Sequence, residues 1–357
     1  MIPSNISLII SNISYGIVSK YIGVDKRIIL GLFLTCVELI LFPLLAYLFP
    51  NNIGLVIYLV LSCVCSFITI ITYCSMLALL STFPTNFLTW YNAGLSISGV
   101  LSVIIRIILL LIFDENDQYN KICIFTYYYF GLAFVLLALA MLVFTDFNKT
   151  QEKKQNLIDE KCTSDSCGDS ANCQVRFNRI IHKCLQIKEL VKKHFSEIRI
   201  MFPYSILIMI LYFQSSFCFP GLILDYKHLT ASRSWDITIL NFIVCFFDFI
   251  GRLSALLKYF SSKIQCTMLI LIRSTLCIIF SLLYFNFGGF SESMNKIISI
   301  ISLMLFSFSS GYYNSILFIK GADYSQEKDK KEFASYLLVL LSNFGSMLGC
   351  LAIFVIL

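Results

Sequence analysis

Asp248 and Arg252 stand four residues apart inside NFIVCFFDFIGRLSALL, residues 241 to 257, a stretch otherwise made of hydrocarbon and aromatic rings. A carboxylate accepts hydrogen bonds and a guanidinium donates them, so the pair suits a ligand rich in hydroxyls or an electronegative ring. An ionised group at the centre of a bilayer costs at least about 2.5–3.5 kcal/mol, which places both residues against a protein interior or a wet cavity. Their i, i+4 spacing puts them on one helical face, with the acid N-terminal to the base, the better order for a pair. Arg273 lies in the next apolar stretch, LIRSTL, which runs back from the same side, and so reaches a similar depth. The alternative role for these three charges is a structural clamp between helices.

Two further charges fall inside apolar stretches. Glu38 is near mid-depth, where a short acid reaches water only through a cavity; protonated there, it is a candidate for coupling a proton to transport. Arg106 either pairs with it or snorkels to the nearer interface. Trp90 is a candidate to stack on a planar ligand or to anchor at the interface.

The elements that must hold these groups are membrane helices. Of 357 residues, 58% are hydrophobic and 13% charged, and the mean hydropathy is +0.82, beyond the range of an ordinary soluble domain. A hydrocarbon core about 30 Å thick takes roughly 20 residues of helix to cross, and helices satisfy their own backbone groups in lipid. The apolar runs predict spans at 28–49, 53–81, 86–113, 122–144, 200–224, 235–257, 265–286, 296–320 and 333–357, with a tenth candidate at 3–22. The expected fold is all-α and polytopic, a two-bundle architecture of about ten transmembrane helices, the plan of many secondary transporters. Its parts are an N-terminal bundle (1–144), a linker loop (145–199) and a C-terminal bundle (200–357).

Alternating the connections gathers Lys20, Lys26, Arg27, the many basic residues of the linker, Lys258, Lys263, Lys320, Lys328, Lys330 and Lys331 on one side. Lys121, Lys227, Arg233 and Lys296 fall on the other, so the linker side is cytoplasmic by the positive-inside rule. Within the linker, RFNRIIHKCLQIKELVKKHFSEIRI has the pattern of a basic amphipathic helix, either lying on an anionic leaflet or solvated. With Lys26 and Arg27 cytoplasmic, a span at 3–22 would begin outside with no earlier helix to carry it across.

Several classes are excluded. The 14 cysteines lie mostly in helices or in the linker, and Cys162, Cys167, Cys173 and Cys184 form no CxxC pair, so neither a disulfide framework nor a zinc site is expected. His182, His194 and His228 all lie outside the spans and no carboxylate cluster accompanies them, so the chain does not read as an enzyme. No cofactor and no nucleic-acid polymer is expected as a partner. The sequence sets no oligomeric state.

These residues resemble the equilibrative nucleoside transporter family. Phe247-Asp248 and Gly251-Arg252 reproduce its FDxxGR signature, preceded by Phe219-Pro220. Arg273 resembles the arginine of the following helix, FSFSSGYYNSILF with Gly311 resembles the FSNGY motif, and SNFGSMLGC resembles the glycine-containing last helix. STFPTNFLTWYNAGLSISG, with Pro84, Gly94 and Gly99, and KRIILG, with Arg27 and Gly31, resemble earlier junctions. The resemblance implies an eleven-helix bundle of the major-facilitator type, of which this chain would start in the second helix. It implies a nucleoside or nucleobase substrate moved by alternating access through a lipid bilayer, in the plasma membrane or an intracellular one. Asp248 and Arg252 would bind the ribose hydroxyls. Leu95 stands where relatives carry a base-facing glutamine, and Ser310 where they carry an asparagine. The alternative is a truncated membrane protein that does not transport and acts as a partner or regulator.

Overall fold

The computed structural model describes residues 7–11, a few positions between 14 and 18, 21–49, 52–81, 83–112, most of 127–149, 202–222, 233–257, 262–284, 292–322 and 328–356. All regular structure among them is helical. We number the main helices α1 (Val24–Leu48), α2 (Asn52–Leu80), α3 (Thr85–Ile112), α4 (Phe130–Asp146), α5 (Phe202–Phe219), α6 (Arg233–Ser254), α7 (Lys263–Tyr284), α8 (Glu292–Ala322) and α9 (Lys328–Ile356). All except α4 are long and apolar enough to cross a membrane. Their bounds follow the hydropathy closely; α4 begins later than the span expected from 122, because 113–126 lie outside the described residues. So does the linker from 150 onward, with its expected amphipathic helix. In the segment 3–22, residues 7–11 are helical, and Ser7 Oγ donates to the Cys63 carbonyl of α2 at 2.6 Å.

The helices carry large apolar side chains outward, among them Leu55, Val56 and Val60 on α2 and Ile264, Leu271 and Ile272 on α7. Such surfaces suit hydrocarbon and would be an aggregation liability in water. Prolines punctuate the bundle as their chemistry requires. Pro84 stands just before α3 and its carbonyl accepts the Phe87 amide at 2.9 Å. At Pro220, α5 passes into a π-helical turn, Phe217–Leu222, where Phe219 leaves helical space (φ −130°, ψ 126°), the conformation imposed on a residue that precedes proline.

The tightest crossing joins α6 to α8. A Cβ added to Gly251 would strike the Phe308 carbonyl oxygen and come within 2.9 Å of the Tyr312 nitrogen; one added to Gly311 would strike the Asp248 carbonyl oxygen and come within 3.0 Å of the Arg252 nitrogen. Two glycines facing each other's backbone let the helices touch main chain to main chain. Gly345 and Gly349 of α9 do the same against Met209 and Phe213 of α5.

Two buried clusters divide the bundle along its length. The larger takes Cys74 and Leu77 of α2, Leu88 of α3, Ile208 and Leu211 of α5, Ile270 of α7, Ile316 to Ile319 of α8 and Leu338 of α9, with Tyr15. It therefore cements both halves of the chain, at the ends where α2 meets α3 and α8 meets α9. Lys331 Nζ reinforces that end by donating to the Ser81 carbonyl at 2.8 Å, and Tyr15 stacks on Tyr336 at 5.7 Å between centroids while Arg27 lies 4.9 Å over the Tyr15 ring. The smaller cluster, Cys218, Leu240, Cys277, Phe280, Leu303, Phe306 and Ile353, draws only on α5 to α9.

Candidate functional site

Between the clusters lies a cavity of about 330 Å³, walled by α3 (Leu95, Ser96, Gly99), α5 (Tyr212, Ser215, Ser216, Phe219), α6 (Val244, Cys245, Asp248, Arg252), α8 (Leu303, Phe306, Ser307, Ser310) and α9 (Ser346). This is the small end of the range of ligand pockets, about 300–1,000 Å³.

Asp248 and Arg252 both line it. Arg252 Nε donates to Asp248 Oδ2 at 2.9 Å, with side-chain exposures of 14% and 17%, so the pair is shielded yet open to the cavity. Ser96 Oγ of α3 donates to the same carboxylate oxygen, and Arg252 Nη1 donates to the Asn92 carbonyl of α3 at 3.1 Å. The pair thus joins α6 to α3, one helix from each half of the chain. Among the described residues no donor reaches Asp248 Oδ1 and no acceptor meets Arg252 Nη2. One acceptor oxygen and one donor nitrogen of the pair thus remain without a protein partner among the described residues. Both atoms keep access to the cavity, where a ligand with adjacent hydroxyls would match them.

Arg273 takes a different place from the one expected beside that pair. It is 0% exposed and stands one layer behind the wall. Its Nε donates to Gln214 Oε1 (3.1 Å), Nη1 to the Phe306 carbonyl (2.7 Å) and Ser309 Oγ (3.1 Å), and Nη2 to Ser215 Oγ (2.8 Å). The guanidinium carbon lies 3.8 Å from the Phe306 ring centroid. A planar fork of donors is the side chain that can hold α5 and α8 at once, and two of its partners, Ser215 and Phe306, face the cavity.

Leu95 contributes apolar surface to the wall. Trp90, one turn earlier on α3, is 59% exposed and is not part of the wall. Glu38 is buried on α1 beside the Cys65 thiol, outside the cavity; its Oε1 has no hydrogen-bond partner, so Arg106 does not reach that oxygen. The serines are what sequence reasoning passed over. Ser96, Ser215, Ser216, Ser307 and Ser346 line the cavity alongside Ser310, which lies 3.3 Å from Ser215. The run FSFSSG, which puts Ser307 and Ser310 on one face of α8, was the available signal.

The fold is that of the major facilitators. The crystal structure of a single-residue variant of the E. coli fucose:proton symporter FucP is similar over 99% of this chain and 88% of that one, with a TM-score of 0.61 at 15% identity. A partially occluded inward-open structure of the xylose transporter XylE from E. coli is similar over 97% of this chain and 78% of that one, with a TM-score of 0.62 at 11% identity. No curated protein matches the sequence. The family profile described as nucleoside transporter matches residues 57–357, a range that takes in α3, the FDxxGR helix and every other wall of the cavity. The chain is therefore a multi-pass membrane protein that belongs to the nucleoside transporter family, a family of transporters and not of enzymes.

Proposed function

We propose that this protein carries nucleosides across a membrane by alternating access, with Asp248 and Arg252 binding the ribose hydroxyls. The observation that carries the reading is the matched pair of free atoms on the wall, Asp248 Oδ1 and Arg252 Nη2. A vicinal diol can donate to the first and accept from the second. The Ser96 hydroxyl and the Asn92 carbonyl hold the ion pair in place, so the site costs little reorganisation when substrate arrives.

The division into bundles at 1–144 and 200–357 gives the motion its parts. The large cluster and the Lys331 to Ser81 bond close the bundles against each other at one end, while among the described residues the smaller cluster draws on the C-terminal bundle alone. With the linker side cytoplasmic, the cavity is closed to the cytoplasm in this state. The plasma membrane is the site of action we favour, and nucleobases are secondary substrates because they lack the diol.

The test is uptake of labelled adenosine, inosine and hypoxanthine in cells that lack endogenous nucleoside uptake. Adenosine and inosine enter saturably, and Asp248→Ala abolishes entry while the protein still reaches the surface. Removing the 2′- or 3′-hydroxyl raises KM roughly ten- to hundredfold, as expected for losing a hydrogen bond to a charged group worth about 1.5–3 kcal/mol. Undiminished uptake of 2′,3′-dideoxynucleosides by the parent protein would refute the ribose assignment.

A further inference from the structure

A serine hydroxyl has one proton to give and two lone pairs to receive, and the serines on the cavity wall differ in where the proton goes. Ser215 of α5 gives its proton to the Leu211 carbonyl at 2.8 Å, and its Oγ accepts from Arg273 Nη2 at 2.8 Å. Ser310 of α8 stands 3.3 Å from that same oxygen. The separation is long for a hydroxyl pair, but two oxygens facing each other with no proton between them would repel. Ser215 has no proton left, so the one across the gap belongs to Ser310.

Arg273 enforces this from behind the wall. Buried and held by Gln214, Phe306, Ser309 and Ser215 together, it cannot turn away, and its donation occupies one of the two lone pairs of Ser215. The other lone pair is the one that Ser310 meets. Ser310 itself is half-buried, lines the cavity and makes no other hydrogen bond among the described residues. A free hydroxyl can serve a ligand as donor or acceptor, whereas this one, its proton committed inside the protein, offers lone pairs alone.

We propose that Ser310 Oγ accepts a hydrogen bond from an N–H of the substrate's base, and so selects nucleosides whose base carries an amino group or a ring N–H. This rests on the nucleoside reading above. The ribose is held from α6, by Asp248 and Arg252, with Ser96 and Asn92 of α3 bracing them. Ser310 is on α8 beside α5, and Phe306, one turn earlier on the same face, gives apolar surface to a planar ring. The next residue, Gly311, packs against the Asp248 backbone, so one nucleoside can span from the ion pair to this oxygen. Ser215 and Arg273 act on the base through Ser310 and are positioning residues.

The experiment measures KM for adenosine, for purine riboside, which is the same nucleoside without the amino group, and for 5′-deoxyadenosine, in the parent, Ser310→Ala and Ser215→Ala. In the parent, purine riboside has a KM roughly three- to tenfold above that of adenosine, the value of one neutral hydrogen bond. Ser310→Ala removes the acceptor, so the KM for adenosine rises by that factor and the two substrates converge. Ser215→Ala keeps Ser310 but releases its proton to the ring nitrogens of purine riboside, and the ratio again falls toward one. A serine that only packed would not change its preference when its neighbour changed. Equal KM values for adenosine and purine riboside in the parent overturn this proposal alone, as does a ratio unchanged in Ser310→Ala. A ratio unchanged in Ser215→Ala overturns the direction assigned to the proton. Any penalty for losing the 5′-hydroxyl is the same in the parent and Ser310→Ala; its disappearance in the variant overturns the assignment to the base and moves the contact to the sugar. Absence of nucleoside uptake by the parent overturns the proposed function and this contact together.

Discussion

Replacing Gly251 by alanine tests how the binding pair is placed. The added methyl would meet the α8 backbone at the Phe308 carbonyl and the Tyr312 nitrogen, the latter at 2.9 Å, where ordinary van der Waals contact begins near 3.4 Å. Backbone cannot turn aside as a side chain can, so α6 and α8 must part by ~0.5–1 Å, at an overpacking cost of about 1–3 kcal/mol. Alanine returns roughly 0.5–1 kcal/mol in helix preference over glycine, leaving a net loss of about 0.5–2 kcal/mol. Gly311→Ala behaves alike, because its methyl meets the facing backbone of Asp248 and Arg252, with the Asp248 carbonyl carbon at 2.8 Å. The double variant loses less than the sum, since once the helices have parted the second methyl has room. Gly94 on α3 supplies the control, because a Cβ there meets nothing within 4 Å among the described residues. Gly94→Ala should gain about 0.5–1 kcal/mol by the same helix preference. Thermal unfolding of the four purified variants, with adenosine uptake beside it, reads both effects. The crossing variants unfold earlier and transport poorly, because the shift carries Asp248 and Arg252 away from Ser96 and Asn92. If Gly251→Ala and Gly94→Ala shift stability in the same direction, the argument from close backbone contact is wrong.

The same geometry fixes other outcomes. Arg273→Lys keeps the charge but not the fork: an ammonium cannot serve Gln214, Ser215, Phe306 and Ser309 together, so at least about 2 kcal/mol of stability is lost, read by thermal unfolding. Its uptake falls through substrate affinity as well, because Ser215 loses its anchor; stability equal to the parent would show that the buried network is slack. Lys331→Met removes the bond to the Ser81 carbonyl that ties α9 to the end of α2, a loss of about 0.5–1.5 kcal/mol from the closed state alone. Labelling of a cysteine introduced at Ser310 by a membrane-impermeant thiol reagent from the linker side should then rise several-fold. Unchanged labelling would remove Lys331 from the closure.

How much of this could be read before folding is plain from particular residues. Hydropathy and helical rise are properties of the chain alone, so eight of the expected spans, and the placing of Asp248 and Arg252 on one face, followed from spacing. The FDxxGR stretch and its companions carried the family through short-range patterns of the same kind. Glycine in that signature could be noticed, but its purpose needed the partner helix: Gly251 matters because Gly311 stands opposite.

Periodicity says which residues share a face, and nothing in it says what that face meets. Arg273 and Arg252 look alike as charges in apolar helices, yet packing withdrew Arg273 into a layer of carbonyl and hydroxyl acceptors and left Arg252 on the cavity wall. The serines were less legible still. A serine in a helix can always satisfy itself on a carbonyl of its own turn, so in the sequence Ser75 and Ser307 are the same residue. Only the tertiary arrangement, which buries the Ser307 Oγ without the carbonyl bond that Ser75 makes, made them different.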